Sequence, residues 1–228
     1  MLTAEELRTK YADFLAKQDG IYAKASLFMG TQGPLTRNTA LPFYQANLIA
    51  WGYGQHVASA VQDYTAKLQG LAQMVLYDGY AAHTTIFDHA QAREPGVFDR
   101  TSIGVLGDVF EDVYFSGFPV PTFNFGRPIV TGDGNAILIP GTPTIDFVDT
   151  AHRFVQAALG RGINVKPPVM AHITLARFTA EAPFTPELLA ALVAMDPIGP
   201  TKPKHLKLSQ FTLTDESFKI DSDLRYEV

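Results

Sequence analysis

Apolar residues recur along this chain at helical and at strand spacing by turns, and the alternation lays out most of the molecule. Thr3 and Glu6 stand at the spacing of a capping box, and Leu7, Tyr11, Phe14 and Leu15 follow at helical intervals. They predict a short amphipathic helix ending near Asp19-Gly20. Residues 21–41, rich in Gly, Pro, Thr and Asn, read mostly as loop. The aromatic and aliphatic run 43–51 predicts a strand, closed by Gly52 and Gly54. Val57, Val61, Tyr64, Leu68 and Leu71 then step at fours and threes, a helical stripe. After the Asp78-Gly79 turn comes a strand over 80–87.

Beyond a polar loop at 93–100, Ile103, Leu106, Val109, Phe110, Val113 and Tyr114 predict a helix weakened by Gly104 and Gly107 and stopped by Pro119. Strands are expected over 121–130 and 135–140, with a hairpin turn at 131–134 between them. Phe147, Ala151, Phe154 and Ala158 mark another helix, started by Thr142 or Thr144 and ended by Gly160 to Gly162. Pro167-Pro168 forces an extended approach to a strand over 170–178. Thr185-Pro186 is a cap with proline at the first helical position, opening a helix over 187–195, and strands over 205–214 and 224–228 close the chain.

The two histidine-bearing strands are alike. One contains His83, Thr85 and Ile86, the other His172, Thr174 and Leu175, and the histidines lie 89 residues apart. Side chains on a strand alternate faces, so each strand presents an imidazole and a hydroxyl side by side. Brought face to face, they supply two imidazoles and two hydroxyls, the inventory for acid–base chemistry on a phosphate. Strict alternation also puts Phe87 and Phe178 on the histidine faces, where aromatics such as these and Tyr80 can stack on a base, although core packing is the commoner fate of an aromatic. It puts Arg177 on the opposite face unless a bulge intervenes.

Composition narrows the partners. The 228 residues are 46% hydrophobic and 18% charged, as in an ordinary globular protein with one core or two lobes sharing one. A formal net charge of −5 gives no basic footprint for long nucleic acid. The chain has no cysteine, which removes disulfides and thiolate chemistry and agrees with an intracellular, cytoplasmic setting. Its first residues lack a signal-peptide pattern, and no run approaches the roughly 18 to 20 apolar residues of a membrane helix.

The paired His83-Thr84-Thr85-Ile86 and His172-Ile173-Thr174-Leu175 resemble the signature of the 2H (two-histidine) phosphoesterases, which include the LigT-like RNA 2′,3′-cyclic phosphodiesterases and 2′-5′ RNA ligases. The run HITLAR at His172 to Arg177 is the closer copy. The resemblance covers 41–228 and implies an α+β, bilobal, duplicated fold with mostly antiparallel sheets, outer helices and a central cleft. Residues 1–40 form an N-terminal helix and loop extension outside it. It implies catalysis by His83 and His172 without cofactor or metal, His172 as base and His83 as acid. Thr85, Thr174 and Arg177 would hold phosphate oxygens. The expected partner is a small nucleotide or short oligonucleotide carrying a cyclic or 2′-linked phosphodiester, and the expected state a monomer. The copies are chemically alike, so the residues themselves do not order base and acid.

Two other readings use the same residues: a nucleotide-binding module without turnover, and a metal-dependent hydrolase built on His83, Asp88, His89 and His172. His152 reads as a polar-face helix residue, and the 202–207 run KPKHLK as a solvated strand edge guarded by lysines, with contact to phosphates the less favoured alternative.

Overall fold

The computed structural model describes residues 2–39, 41, 43–92 and 100–227, with side chains for all but 43–51, 89–92, 100–103 and 221–227. The expected loop at 93–100 falls outside the described residues except for Arg100, as does Val228 at the end of the last strand.

The opening helix is longer than its periodicity predicts. In α1 (Ala4–Thr31) the Thr3 hydroxyl accepts the Glu6 N–H at 3.2 Å, and the Glu6 carboxylate accepts the Thr3 N–H at 2.8 Å. The helix then runs through Asp19-Gly20 to Thr31, so the expected stop there and the loop over 21–31 are corrected. Tertiary packing explains the difference. A glycine costs a helix only about 1 kcal/mol, while the residues around Gly20 are anchored. Gln18 is buried, its amide donating to the Gly141 carbonyl at 3.0 Å and its carbonyl accepting the Ala171 N–H at 2.8 Å. Ile21 and Tyr22 pack on Ala136, Leu138 and Met170.

The remaining elements are β1 (Phe43–Gly52), α2 (Gln55–Leu68), β2 (Met74–Leu76), a 3-10 turn (Gly79–Ala81), β3 (His83–Ala92), α3 (Arg100–Ser116), β4 (Phe123–Phe125), β5 (Ile129–Val130), β6 (Ala136–Pro143), α4 (Ile145–Gly160), β7 (His172–Phe178), α5 (Pro186–Val193), β8 (Gly199–Thr201), β9 (His205–Leu213) and β10 (Phe218–Glu227). The first histidine strand starts at His83 instead of residue 80, because Asp78 accepts the Tyr80 N–H at 2.8 Å and folds 79–81 into a turn. The expected strand over 121–130 is broken in two around Gly126 and Pro128. β2 and β8, three residues each, are too short to show periodicity.

The strands form two antiparallel sheets, one in the order β10-β9-β1-β3, the other β2-β7-β6-β4-β8 with β5 also on β6. β9 is therefore an interior strand, and the expected solvated lysine edge is corrected at its C-terminal end: Lys207 is only 8% exposed. Helix packing is interleaved. α2 follows β1 of the first sheet but packs on β7 of the second, and α4 follows β6 of the second but packs on β3 of the first. One cluster of buried residues consequently joins both halves, with Ile86, Leu206 and Leu208 from one sheet and Ile137, Ile173 and Leu175 from the other.

Candidate active site

β3 and β7 meet where the two sheets adjoin. β3 also bonds the segment leading to β7, Asp88 N–H donating to the Lys166 carbonyl at 2.9 Å and Lys166 N–H to the Asp88 carbonyl at 2.8 Å. Each histidine is tied down the same way. His83 Nδ1 lies 2.7 Å from the Ala81 carbonyl and His172 Nδ1 3.4 Å from the Met170 carbonyl, each two residues upstream. A carbonyl only accepts, so Nδ1 carries the proton in both rings and Nε2 presents its lone pair. Both histidines are half-buried residues.

The imidazoles share one electrostatic environment. Burial is the main influence lowering the pKa of His172, to about 4, followed by the Arg177 charge and, after the opposing Met170 bond, His83. His83 is also lowered, first by burial, then by Lys207 and Arg177, against the raising effect of its bond to Ala81. Arg177 thus acts on both rings.

Arg177 reaches that position because β7 is bulged. Leu138 pairs with Thr174 and Ile137 with Ala176, which leaves Leu175 as an extra residue. The insertion shifts the alternation by one and returns Arg177 to the face of His172 and Thr174. β3 repeats the device at the equivalent residue: Ala50 pairs with Thr85 and Ile49 with Phe87, leaving Ile86 over. Past that bulge Asp88, half-buried, takes the place in β3 that Arg177 takes in β7.

The same bulges overturn the expectation for Phe87 and Phe178 as substrate contacts. Both turn to the opposite face and are fully buried in the main core, Phe87 against Phe154 of α4 at 6.0 Å. Tyr80 is exposed on the 3-10 turn. Thr85 is half-buried and Thr174 buried, each on its histidine's face. Thr84, polar where the second copy has Ile173, is fully buried and accepts the Tyr53 hydroxyl at 2.8 Å.

Three further residues join the site: Tyr77 and Phe218, which carry no sequence signal, and Lys207, from the run read mainly as a solvated edge. Tyr77, just after β2, accepts Arg177 Nε on its hydroxyl at 3.0 Å. Burial raises its pKa, so the phenol stays neutral. Phe218 of β10 stacks on Tyr77 at 4.3 Å with 10° between the rings, and lies 6.0 Å from His83. Lys207 lines, with His83, Ser209, Phe211 and Phe218, a hollow of about 10 Å³. Their partners lie in remote strands, so spacing along the chain carries no trace of the contacts. Two larger recesses, about 270 and 660 Å³, run along α1 and α4 around Lys10 and His152 and contain neither paired imidazole. The two imidazoles and the Arg177 charge converge at β3 and β7 instead. Among the described residues no three His, Asp or Glu gather as a metal-binding group, and His89 has no described side chain. No helix among them is long and apolar enough to cross a membrane.

This chain holds one His-x-Thr strand in each sheet of an α+β scaffold, and solved structures share the fold. E. coli LigT in apo form superposes with a TM-score of 0.57 at 14% identity, over 81% of this chain and 98% of that one. E. coli LigT complexed with NADP+ gives 0.58 at 15%, and a phosphoesterase crystal structure 0.59 at 12%, with the same coverage. The fold is therefore LigT-like. No family model matches the sequence, and no curated protein matches it significantly.

Proposed function

We propose that this protein is a phosphoesterase that hydrolyses a cyclic, 2′,3′-type, or 2′-linked phosphodiester in a small nucleotide or short oligonucleotide, with two histidines as acid and base and no metal. The observation that carries the reading is the pair of half-buried histidines, each fixed through Nδ1 with Nε2 available, in the field of one arginine. Neighbours of the same fold support the ligand class, since E. coli LigT has been crystallised with 3′-AMP, with ATP and with phosphate.

In the proposed reaction His172 Nε2 takes the proton of a water as its oxygen bonds to phosphorus. His83 then protonates the ribose oxygen as its bond to phosphorus breaks. Thr85, Thr174 and Arg177 bind the non-bridging oxygens, whose charge grows in the five-coordinate transition state. His172, lowered to about 4, is neutral at neutral pH, as a base must be.

The test is incubation with nucleoside 2′,3′-cyclic phosphates and with short 2′-5′ and 3′-5′ oligonucleotides, with and without chelator. We expect turnover that survives chelator and falls by about 10² to 10⁴-fold in both His83→Ala and His172→Ala. Turnover lost to chelator would instead assign a metal-dependent hydrolase, and binding without turnover a nucleotide-binding module.

A further inference from the structure

Burying a lysine is costly unless its ammonium has polar company, and Lys207 is buried beside one of the two imidazoles. Strand register explains how it gets there. Gly52 of β1 pairs with His83 on one side and His205 on the other, and the neighbouring Ala50 pairs with Thr85 and Lys207. Lys207 therefore shares the face of Thr85 and His83, two strands away. Its stem crosses over Gly52: a Cβ on that glycine would stand 3.1 Å from Lys207 Cε. The absent side chain is what lets the lysine lie across β1 toward His83, and the wall of the hollow beside His83 includes it.

We propose that Lys207 is a second phosphate-binding cation of this site, the first sheet's counterpart to Arg177 in the second. The assignment rests on the phosphoester reading given above. It means that a phosphate between the imidazoles is gripped from both sheets, by a planar guanidinium on one side and a compact ammonium on the other. An ammonium has three donors, so a bond to the protein leaves others for phosphate oxygens. Among the described residues, the charged and titratable groups on this side of His83 are Lys207 from β9, Arg177 and His172 from β7, and Asp88 past the bulge of its own strand. With two fixed cations the site favours the transition state, in which the non-bridging oxygens carry more charge than in the diester.

The experiment compares wild type with Lys207→Met, which keeps the stem and removes the charge, Lys207→Arg, which keeps the charge, and Gly52→Ala. Inorganic phosphate binding is followed by calorimetry, the His83 ring by NMR titration, and hydrolysis of a nucleoside 2′,3′-cyclic phosphate by initial rates. Expected for Lys207→Met at unchanged Tm are phosphate binding weaker by at least about tenfold, the loss of one charge-assisted bond, an upward shift of the His83 titration, and kcat/KM lower by about 10² to 10³-fold. Lys207→Arg should restore most of the phosphate affinity. A folded Lys207→Met that binds phosphate as wild type does overturns the assignment. Should Lys207→Met fail to fold, Gly52→Ala decides: displaced Cε should weaken phosphate binding with the charge still present, and unchanged affinity would refute the role. Phosphate binding that depends on Lys207 in a protein without diester turnover would uphold this assignment and sink the hydrolase reading.

Discussion

At the scale of single residues, the pKa directions set a pH profile. The proposed base must be neutral and the proposed acid protonated. His172, lowered to about 4, is neutral above that pH, while His83, lowered from its ordinary 6.5, loses its proton below 6.5. The bell for kcat/KM, which reports the free enzyme, should therefore lie between about pH 4 and 6.5, with both limbs on the acid side of ordinary histidine. Bound phosphate adds negative charge beside both rings and raises both pKa values, so the kcat profile should be displaced toward alkaline pH. Initial rates between pH 4 and 9 test this, and a flat profile with chemistry rate-limiting would contradict paired acid–base catalysis.

The buried ring also carries a stability consequence. Because the folded pKa of His172 is below the unfolded value, the unfolded chain binds the extra proton and stability falls as pH drops from about 6.5 to 4. The full shift amounts to at most roughly 3 kcal/mol. Urea unfolding at pH 7 and pH 4.5 should show a smaller loss in His172→Asn than in wild type.

At the scale of elements, two one-residue bulges and one long helix shape the site. The bulges at Ile86 and Leu175 turn Phe87 and Phe178 into core and Asp88 and Arg177 toward the histidines. α1 braces the second of these strands, since Gln18 accepts the Ala171 N–H immediately before His172. Gln18→Ala would leave that buried N–H without its partner, and we expect a loss of about 1 to 3 kcal/mol in urea unfolding. Gly20 faces open space on the same helix, so Gly20→Ala should instead stabilise by about 0.5 to 1 kcal/mol. The opposite signs distinguish a helix anchored by specific bonds from one held by propensity.

At the scale of the whole molecule, interleaved helices make the two sheets a single folding unit. Neither sheet covers its own hydrophobic face: Phe87 of the first relies on Phe154 of α4, and β7 of the second on α2. Thermal unfolding followed by far-UV and near-UV circular dichroism should give one coincident transition. Two separated transitions would mean that the lobes are independently stable.

By itself the sequence determined most of the elements and the two matching His-x-Thr strands. Periodicity, caps and breakers are local, so α2, α4, α5, β7 and the Thr3 box were legible, and so was the pairing of two His-x-Thr strands. Tertiary structure decided which residues share the site with them. Alternation assumes an unbroken ladder, and a bulge is imposed by the partner strand, so the facing of Arg177, Phe87 and Phe178 was not in the pattern. Tyr77 meets Arg177 across 100 residues of chain, Lys207 crosses a glycine of a third strand to line one hollow with His83, and α1 passes Gly20 because the sheet beneath holds it. Contacts made across such distances depend on register and packing, and these exist only once the sheets have formed.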